Sequence, residues 1–319
     1  MRALIRGLIA AVVLANAPLA AAQTWPSKPV TLVVNFGVGG SPDLVARLFG
    51  PLLSEAIGQP VVVENRAGAG GNLGIEAVAR AAADGHTFLV SASSPFVIGP
   101  HLYKLNFDPA RDLTPVASVS LSPMYLVVRA SLEAKSVAEL VALARARAGK
   151  LNYGSPGNGT LPHASAEMLL HAAKVQAVHI PYKSSGEALT GLLREEIDFA
   201  FDPGVAIPQA KAGKVRLLAV SSTARMQSLP DAPTLTEAGA NMTAVSVVGV
   251  FAPAGIPRDI VTRVNREIAR IMQTPKVREA LATMAMEPLA SSPQEFEALL
   301  AKDRERFGAV VREANIKVQ

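Results

Sequence analysis

Short β-branched apolar runs alternate with longer amphipathic stretches from Thr31 to Phe251, and that alternation leaves few folds open. Apolar runs of strand length separated by helix-length segments are what βαβ units supply. Nine runs read as strands: Thr31 to Asn35, Val61 to Val63, Thr87 to Ser91, Met124 to Val128, Leu151 to Gly154, Val178 to Ile180, Asp198 to Phe201, Leu217 to Val220 and Val245 to Phe251. The fold class is therefore α/β. Ser41 and Pro42 supply an N-cap and a first-turn proline for a helix whose inner face reads as Leu44, Leu48, Leu52 and Leu53. Ser136 to Glu139 and Ser184 to Glu187 have the form of capping boxes. From Asp259 onward no strand is expected. Two helices close the chain, with inner faces of Ile260, Val261, Val264, Ile268, Ile271 and Met272, then Phe296, Leu299, Leu300, Phe307, Val310 and Val311. Ser292 to Glu295 opens the second with another capping box.

The N-terminus reads as an export signal. Arg2 and Arg6 precede an apolar run from Leu8 to Ala20, and small residues at Ala20 to Ala22 suit a peptidase cut after Ala22. That run is shorter than the roughly 20 apolar residues a span needs, so a soluble periplasmic protein is expected. Removing 22 of 319 residues leaves 297, a length that favours two domains. The chain has no cysteine, which excludes disulfides, a thiol nucleophile, a thiolate zinc site and a lipid anchor on cysteine. The formal charge of +5 falls to +3 once the two leader arginines are lost. With aromatic residues at 5% and no basic block, nucleic-acid binding is not expected. No oligomerisation signal is evident, so a monomer is expected.

Four strand-loop-helix junctions are small, polar and rich in glycine: Phe36 to Asp43, Ser91 to Pro95, Ser155 to His163 and Tyr182 to Gly186. In open α/β sheets such junctions lie beyond the carboxyl ends of the strands, where ligands bind. Helix N-termini there offer unpaired N–H groups and partial positive charge to a carboxylate or phosphate. Each residue also has a plain structural role. Ser41, Thr160 and Ser184 suit N-caps, Asp43 complements a helix dipole, and Asp202 suits a turn before Pro203 and Gly204. His163 has no partner at metal-ligand spacing, so no metal or cofactor is expected. Gly68 to Gly74 fails the dinucleotide spacing at Leu73, and no phosphate-loop lysine motif is present. Ser155 misses the nucleophile elbow, and Pro156 removes an N–H that an oxyanion hole would need.

Several stretches, taken in order, resemble the substrate-binding proteins of tripartite tricarboxylate transporters, also called the Bug family. Trp25 to Asp43 and Gly58 to Gly71 carry the resemblance first. Asp84 to Thr87, Phe107 to Asp112, Gly149 to Ser155, His179 to Lys183, Leu229 to Thr234, Glu237 to Gly239 and Ala252 to Gly255 follow. The resemblance implies a two-lobed binding protein of type II, with strands crossing between the lobes near Met124 to Val128 and Val245 to Phe251. One lobe would comprise 23–125 with 251–319, the other 126–250. It implies capture of a small carboxylate in the cleft, delivery to integral-membrane permease subunits, and no catalysis. Ser41, Ser155, Gly157, Thr160 and Ser185 would donate to the anion, with Phe36 as a wall. Gly39, Gly40, Asp43, Ser91, Ser93, Ser94, Asn158, His163, Lys183, Ser184 and Asp202 would complete the lining. Two positions depart from the family pattern: Val247 stands where tryptophan is usual, and Ser184 where glycine follows Tyr-Lys. The competing readings are an exported hydrolase using Ser155 and His163, and a ligand sensor for a membrane signalling partner.

Overall fold

The computed structural model describes residues 25–313 and 316. The export-signal reading of residues 1–22 lies outside the described residues. Two sheets organise the chain. β1 (Val30–Val34), β2 (Val61–Asn65) and β3 (Thr87–Ala92) run parallel with β1 in the centre, in register Val30 to Val61 and Thr31 to Thr87. They are joined through α1 (Ser41–Ile57) and α2 (Asn72–Ala79). After the short helices α3 (Ser94–Val97) and α4 (Gly99–Leu102), β4 (Leu113–Pro123) joins the same sheet and β5 (Tyr125–Arg129) belongs to the second. Only Met124 separates them.

The second sheet adds β6 (Asn152–Ser155), β7 (Val178–Pro181), β8 (Phe199–Asp202) and β9 (Val215–Val220), in the order β7-β6-β8-β5-β9. Its helices are α5 (Val137–Ala146), α6 (Leu161–Ala173), α7 (Ser185–Leu193) and α8 (Ile207–Lys211). The chain then returns. β10 (Val245–Pro253) lies antiparallel between β3 and β4 in the first sheet. The outward and return passages are tied to each other: Met124 N donates to Ser221 Oγ at 2.7 Å, Ser221 N donates to Met124 O at 2.8 Å, and Ser221 Oγ donates to Ala244 O. The chain ends with α9 (Arg258–Met272), α10 (Pro275–Thr283), the two-residue strand β11 (Glu287–Pro288) and α11 (Pro293–Glu313).

The first sheet is apolar on both faces because helices cover both. Leu32, Phe88, Val90 and Val250 pack with Phe49 and Leu53 of α1 and with Ile260, Val264 and Ile268 of α9. On the opposite face Val33, Leu89 and Phe251 meet Phe96 of α3 and Phe296 of α11. Phe251 stacks on Phe96 at 4.0 Å and tilts against Phe296 at 5.1 Å. Gly249 makes room for this: a Cβ there would fall 2.2 Å from the Phe296 ring.

Three readings of the sequence need correcting. Leu44, Leu48 and Leu52 are only half-buried, and the packed row of α1 is Val45, Ala46, Phe49, Leu53 and Ile57. The C-terminal part holds three helices rather than two, since Val277 and Leu281 bury a short third one, and β11 adds a minimal strand to β4. β4 itself went unread, because Pro115 and Pro123 and the alternating Ser118, Ser120 and Ser122 give it the look of a loop.

Candidate ligand-binding site

The first parallel βα junction of each sheet is built to one plan. After β1 the chain runs Phe36 to Asp43 into α1, and after β6 it runs Pro156 to His163 into α6. In one, Gly40 N donates to Gly37 O at 3.2 Å; in the other, Thr160 N donates to Gly157 O at 3.4 Å. Gly39 and Gly159 both take the left-handed conformation, at φ +80° and +70°. Gly40 and Thr160 are the N-caps, with nearly identical φ/ψ of −75°, 160° and −76°, 159°. Each helix carries proline in its first turn, at Pro42 and Pro162. The residue after each proline reaches back to the preceding glycine: Gly39 N donates to Asp43 Oδ2 at 2.9 Å, and Gly159 N to His163 Nδ1 at 3.2 Å. Neither N-cap side chain caps its helix. Ser41 is the first residue of α1 rather than its cap, and Thr160 Oγ1 donates instead to Gly157 O at 2.7 Å.

These two N-termini and that of α7 converge on one cavity between the sheets, of about 450 Å³ counting the part open to solvent. Six hydroxyl residues line it: Ser41, Ser94, Ser122, Thr160, Ser185 and Ser246. The walls are otherwise apolar, from Phe36, Met124, Leu161 and Val248 among others, and no charged side chain takes part. The carbonyl of Pro203, just beyond β8, accepts from Ser122 Oγ at 2.8 Å and from Ser41 Oγ at 3.5 Å, so it bridges both sheets. Of the predicted residues, Phe36, Gly40, Ser41, Ser94, Thr160 and Ser185 meet here. Ser122 and Ser246 went unpredicted. They face each other in register across β4 and β10, and the alternation of serine with apolar residues along β4 was the signal for them.

The other predicted residues lie outside this cavity, each for a local reason. Asp43 is buried and holds Gly39 N, Arg47 and Asn65, the last two at 2.9 Å. Ser184 caps α7 through Glu187 N at 3.1 Å, so its hydroxyl is occupied. Ser91 Oγ donates to Ala92 O at 2.8 Å. Ser93 Oγ accepts from Val247 N at 3.2 Å and supports Ser246 from behind. Val247 packs into the core on the side of β10 opposite Val248, as strand alternation requires. Asp202 is buried beneath the Pro203 turn, where its carboxylate accepts from Gly204 N at 2.7 Å and Ala206 N at 2.8 Å. Burial raises its pKa to about 7, against the lowering effect of those N–H groups. Gly157, Asn158 and Lys183 line a second chamber of about 850 Å³, again counting the part open to solvent, which shares Phe36 and Pro156 with the first. Among the described residues Lys183 is the one charged residue lining either chamber, and Gly39 lines neither.

Ser155 and His163 do not form a pair. Ser155 Oγ lies 2.7 Å from His179 Nε2 and accepts from Gly157 N at 3.2 Å, while His163 spends Nδ1 on Gly159. His163, His179 and Tyr153 stack, with ring centroids 4.3 and 4.8 Å apart, and the Tyr153 hydroxyl donates to Glu167. Burial depresses His163 to about 4, and burial followed by the charge of His163 depresses His179 to about 3. Both rings are therefore neutral at neutral pH. Neither histidine nor Ser155 lines the cavity, so the cluster shapes the Gly157 turn from beneath.

Two α/β sheets linked by paired crossings, with helix N-termini from both facing one cavity, define a two-lobed fold of the periplasmic-binding-protein kind. The solved structure of Rpa4515 from R. palustris with adipate superposes with a TM-score of 0.90 at 34% identity, covering 92% of this chain and 100% of that one. MatC from Rhodopseudomonas palustris with bound malate gives 0.86 at 32%, covering 90% and 100%. A UPF0065 protein of Bordetella bronchiseptica is 37% identical over 97% of this chain and 93% of its own length. The model for the tripartite tricarboxylate transporter family receptor, TctC, matches residues 45–316, and the chain belongs to that family. Among the described residues no helix is long and apolar enough to cross a membrane, and no group of three or more metal-ligating side chains occurs.

Proposed function

We propose that this protein is a periplasmic receptor that closes on one small carboxylate and delivers it to the membrane subunits of a tripartite transporter, without bond chemistry. The observation that carries this is the charge-free cavity where three helix N-termini and six hydroxyls converge from both sheets. A carboxylate there meets N–H and O–H donors from α1 on one side and from α6 and α7 on the other. Each N-terminus contributes about 0.3–1 kcal/mol, so three fall well short of the roughly 8 kcal/mol of micromolar binding. Direct hydrogen bonds and burial of the apolar remainder against Phe36, Met124, Leu161 and Val248 supply the difference. The adipate and malate of the two R. palustris structures support a carboxylate ligand. Contact with both lobes is what makes closure follow binding, since a ligand shifts a two-state equilibrium only by its differential affinity. In this reading one lobe holds the first sheet with α9 to α11 and the other the second sheet, and export to the periplasm removes residues 1–22.

Native mass spectrometry of gently purified protein, with identification of any small molecule released on denaturation, tests this directly. A stoichiometric carboxylic acid supports it. An empty protein that also shows no thermal shift with a panel of mono- and dicarboxylates overturns it.

A further inference from the structure

Tyr103, immediately after α4 in the first lobe, donates its hydroxyl to Asn158 O in the second at 2.7 Å. Its ring is gripped by glycines from both sides of the cleft. A Cβ on Gly159 would fall 2.9 Å from the ring, and one on Gly70 would fall 3.1 Å from the hydroxyl and 2.7 Å from Asn158 O. Gly70 belongs to a turn of four successive left-handed residues, Gly68, Ala69, Gly70 and Gly71, at φ 137°, 49°, 64° and 99°. Such a run is unfavourable at Ala69; its four residues line the second chamber together with Tyr103 and Asn158, and none lines the first cavity. What the turn accomplishes is close passage of its backbone against the Gly157 to Thr160 turn, the one that opens α6. Burial raises the Tyr103 pKa above the ordinary tyrosine value, so the hydroxyl remains a donor.

We propose that Tyr103 is a clasp: its hydrogen bond to Asn158 O holds the α6 turn of the second lobe against the Gly68 to Gly71 turn of the first and so keeps the cleft shut over its ligand. The inference rests on the binding-protein reading, and it makes Tyr103 a positioning residue whose hydroxyl is spent on Asn158 O. The bond forms only once the lobes meet. Its loss should therefore speed opening and leave encounter unchanged. A single neutral hydrogen bond corresponds to roughly a three- to tenfold change in rate.

The test is Tyr103→Phe in the full chain, carrying Val62→Cys and Val178→Cys as dye sites. The chain has no cysteine of its own, and these valines are 52% and 47% exposed on strands of different sheets. Single-molecule energy transfer in ligand-free protein should shift toward longer distances in the variant. Stopped-flow with adipate as probe should show dissociation faster by roughly three- to tenfold and association within about twofold. Unchanged distances and dissociation overturn the clasp. So does a fall in Tm of the ligand-free protein without a kinetic change, which would mark Tyr103 as merely structural. If wild type binds neither adipate nor any acid of the panel, the distance measurement still decides the clasp, and only the functional reading falls.

Discussion

His163 and Asp202 tie stability to pH in opposite directions, and separating them tests how the two cavity turns are supported. Burial lowers His163 from 6.5 to about 4. Between those values the unfolded chain binds the extra proton, so the His163 contribution is complete above about pH 6.5 and is lost as pH falls toward 4. A displacement of about 2.5 units is worth about 3 kcal/mol. Asp202 is raised from 3.8 to about 7. Here the folded protein holds the proton, so its contribution is complete below about pH 4 and is lost as pH rises through 7, by about 4 kcal/mol. The two slopes nearly cancel between pH 4.5 and 6.5 (approximate bounds set by these pKa values). Asp202→Asn keeps an oxygen for Gly204 N and Ala206 N and removes the titration. His163→Asn keeps an acceptor for Gly159 N and does the same. Urea midpoints of the three proteins, measured at intervals across this range, give the result. With His179 lowered as well, wild type should gain stability modestly with rising pH, Asp202→Asn more steeply through His163 and His179 together, and His163→Asn should be nearly flat because His179 then only offsets Asp202. Parallel profiles for all three would refute the assignment of these shifts to the two turns.

Thr160→Val combined with Ser185→Ala should weaken adipate or malate binding by isothermal calorimetry at least tenfold, about 1.4 kcal/mol, with Tm close to wild type; full affinity would remove α6 and α7 from the site. Lys183→Met should leave binding of a short monocarboxylate unchanged and weaken acids carrying a second carboxylate at chain lengths that reach the second chamber, as read by competition. Gly249→Ala should lower thermal stability by about 1–3 kcal/mol through the clash with Phe296, and Phe296→Leu in the same chain should recover part of the loss.

The strands buried on both faces were legible because Leu32, Val33, Phe88 and Leu89 leave no alternative to a covered sheet. β4 was not, since Pro115, Pro123 and the buried row of Ser118, Ser120 and Ser122, of which only Ser122 lines the cavity, give it the composition of a loop. The row of leucines at 44, 48 and 52 misled because Val45, Phe49 and Leu53, one position on, have the same spacing of four and form the row that packs. At the site, the glycine-rich turns were readable from the small residues before each helix, which the backbone itself requires. The pairing of Ser122 with Ser246 was not, because it joins segments over a hundred positions apart through a register that only the sheet sets. Asp43 and His163 lie outside the cavity lining for a shared reason. A polar residue in the first turn of a helix can face a ligand or turn back to the preceding glycine, and both turn back here.

The two junctions that follow β1 and β6 hold a backbone geometry in common, while the side chains around them differ. A jaw whose donors are main-chain groups survives replacement of its neighbours, so mutation can reshape one jaw while the other retains its hold. On the proposed reading, a receptor made this way would exchange one acid for another over evolutionary time in single steps, each passing through a protein that still binds.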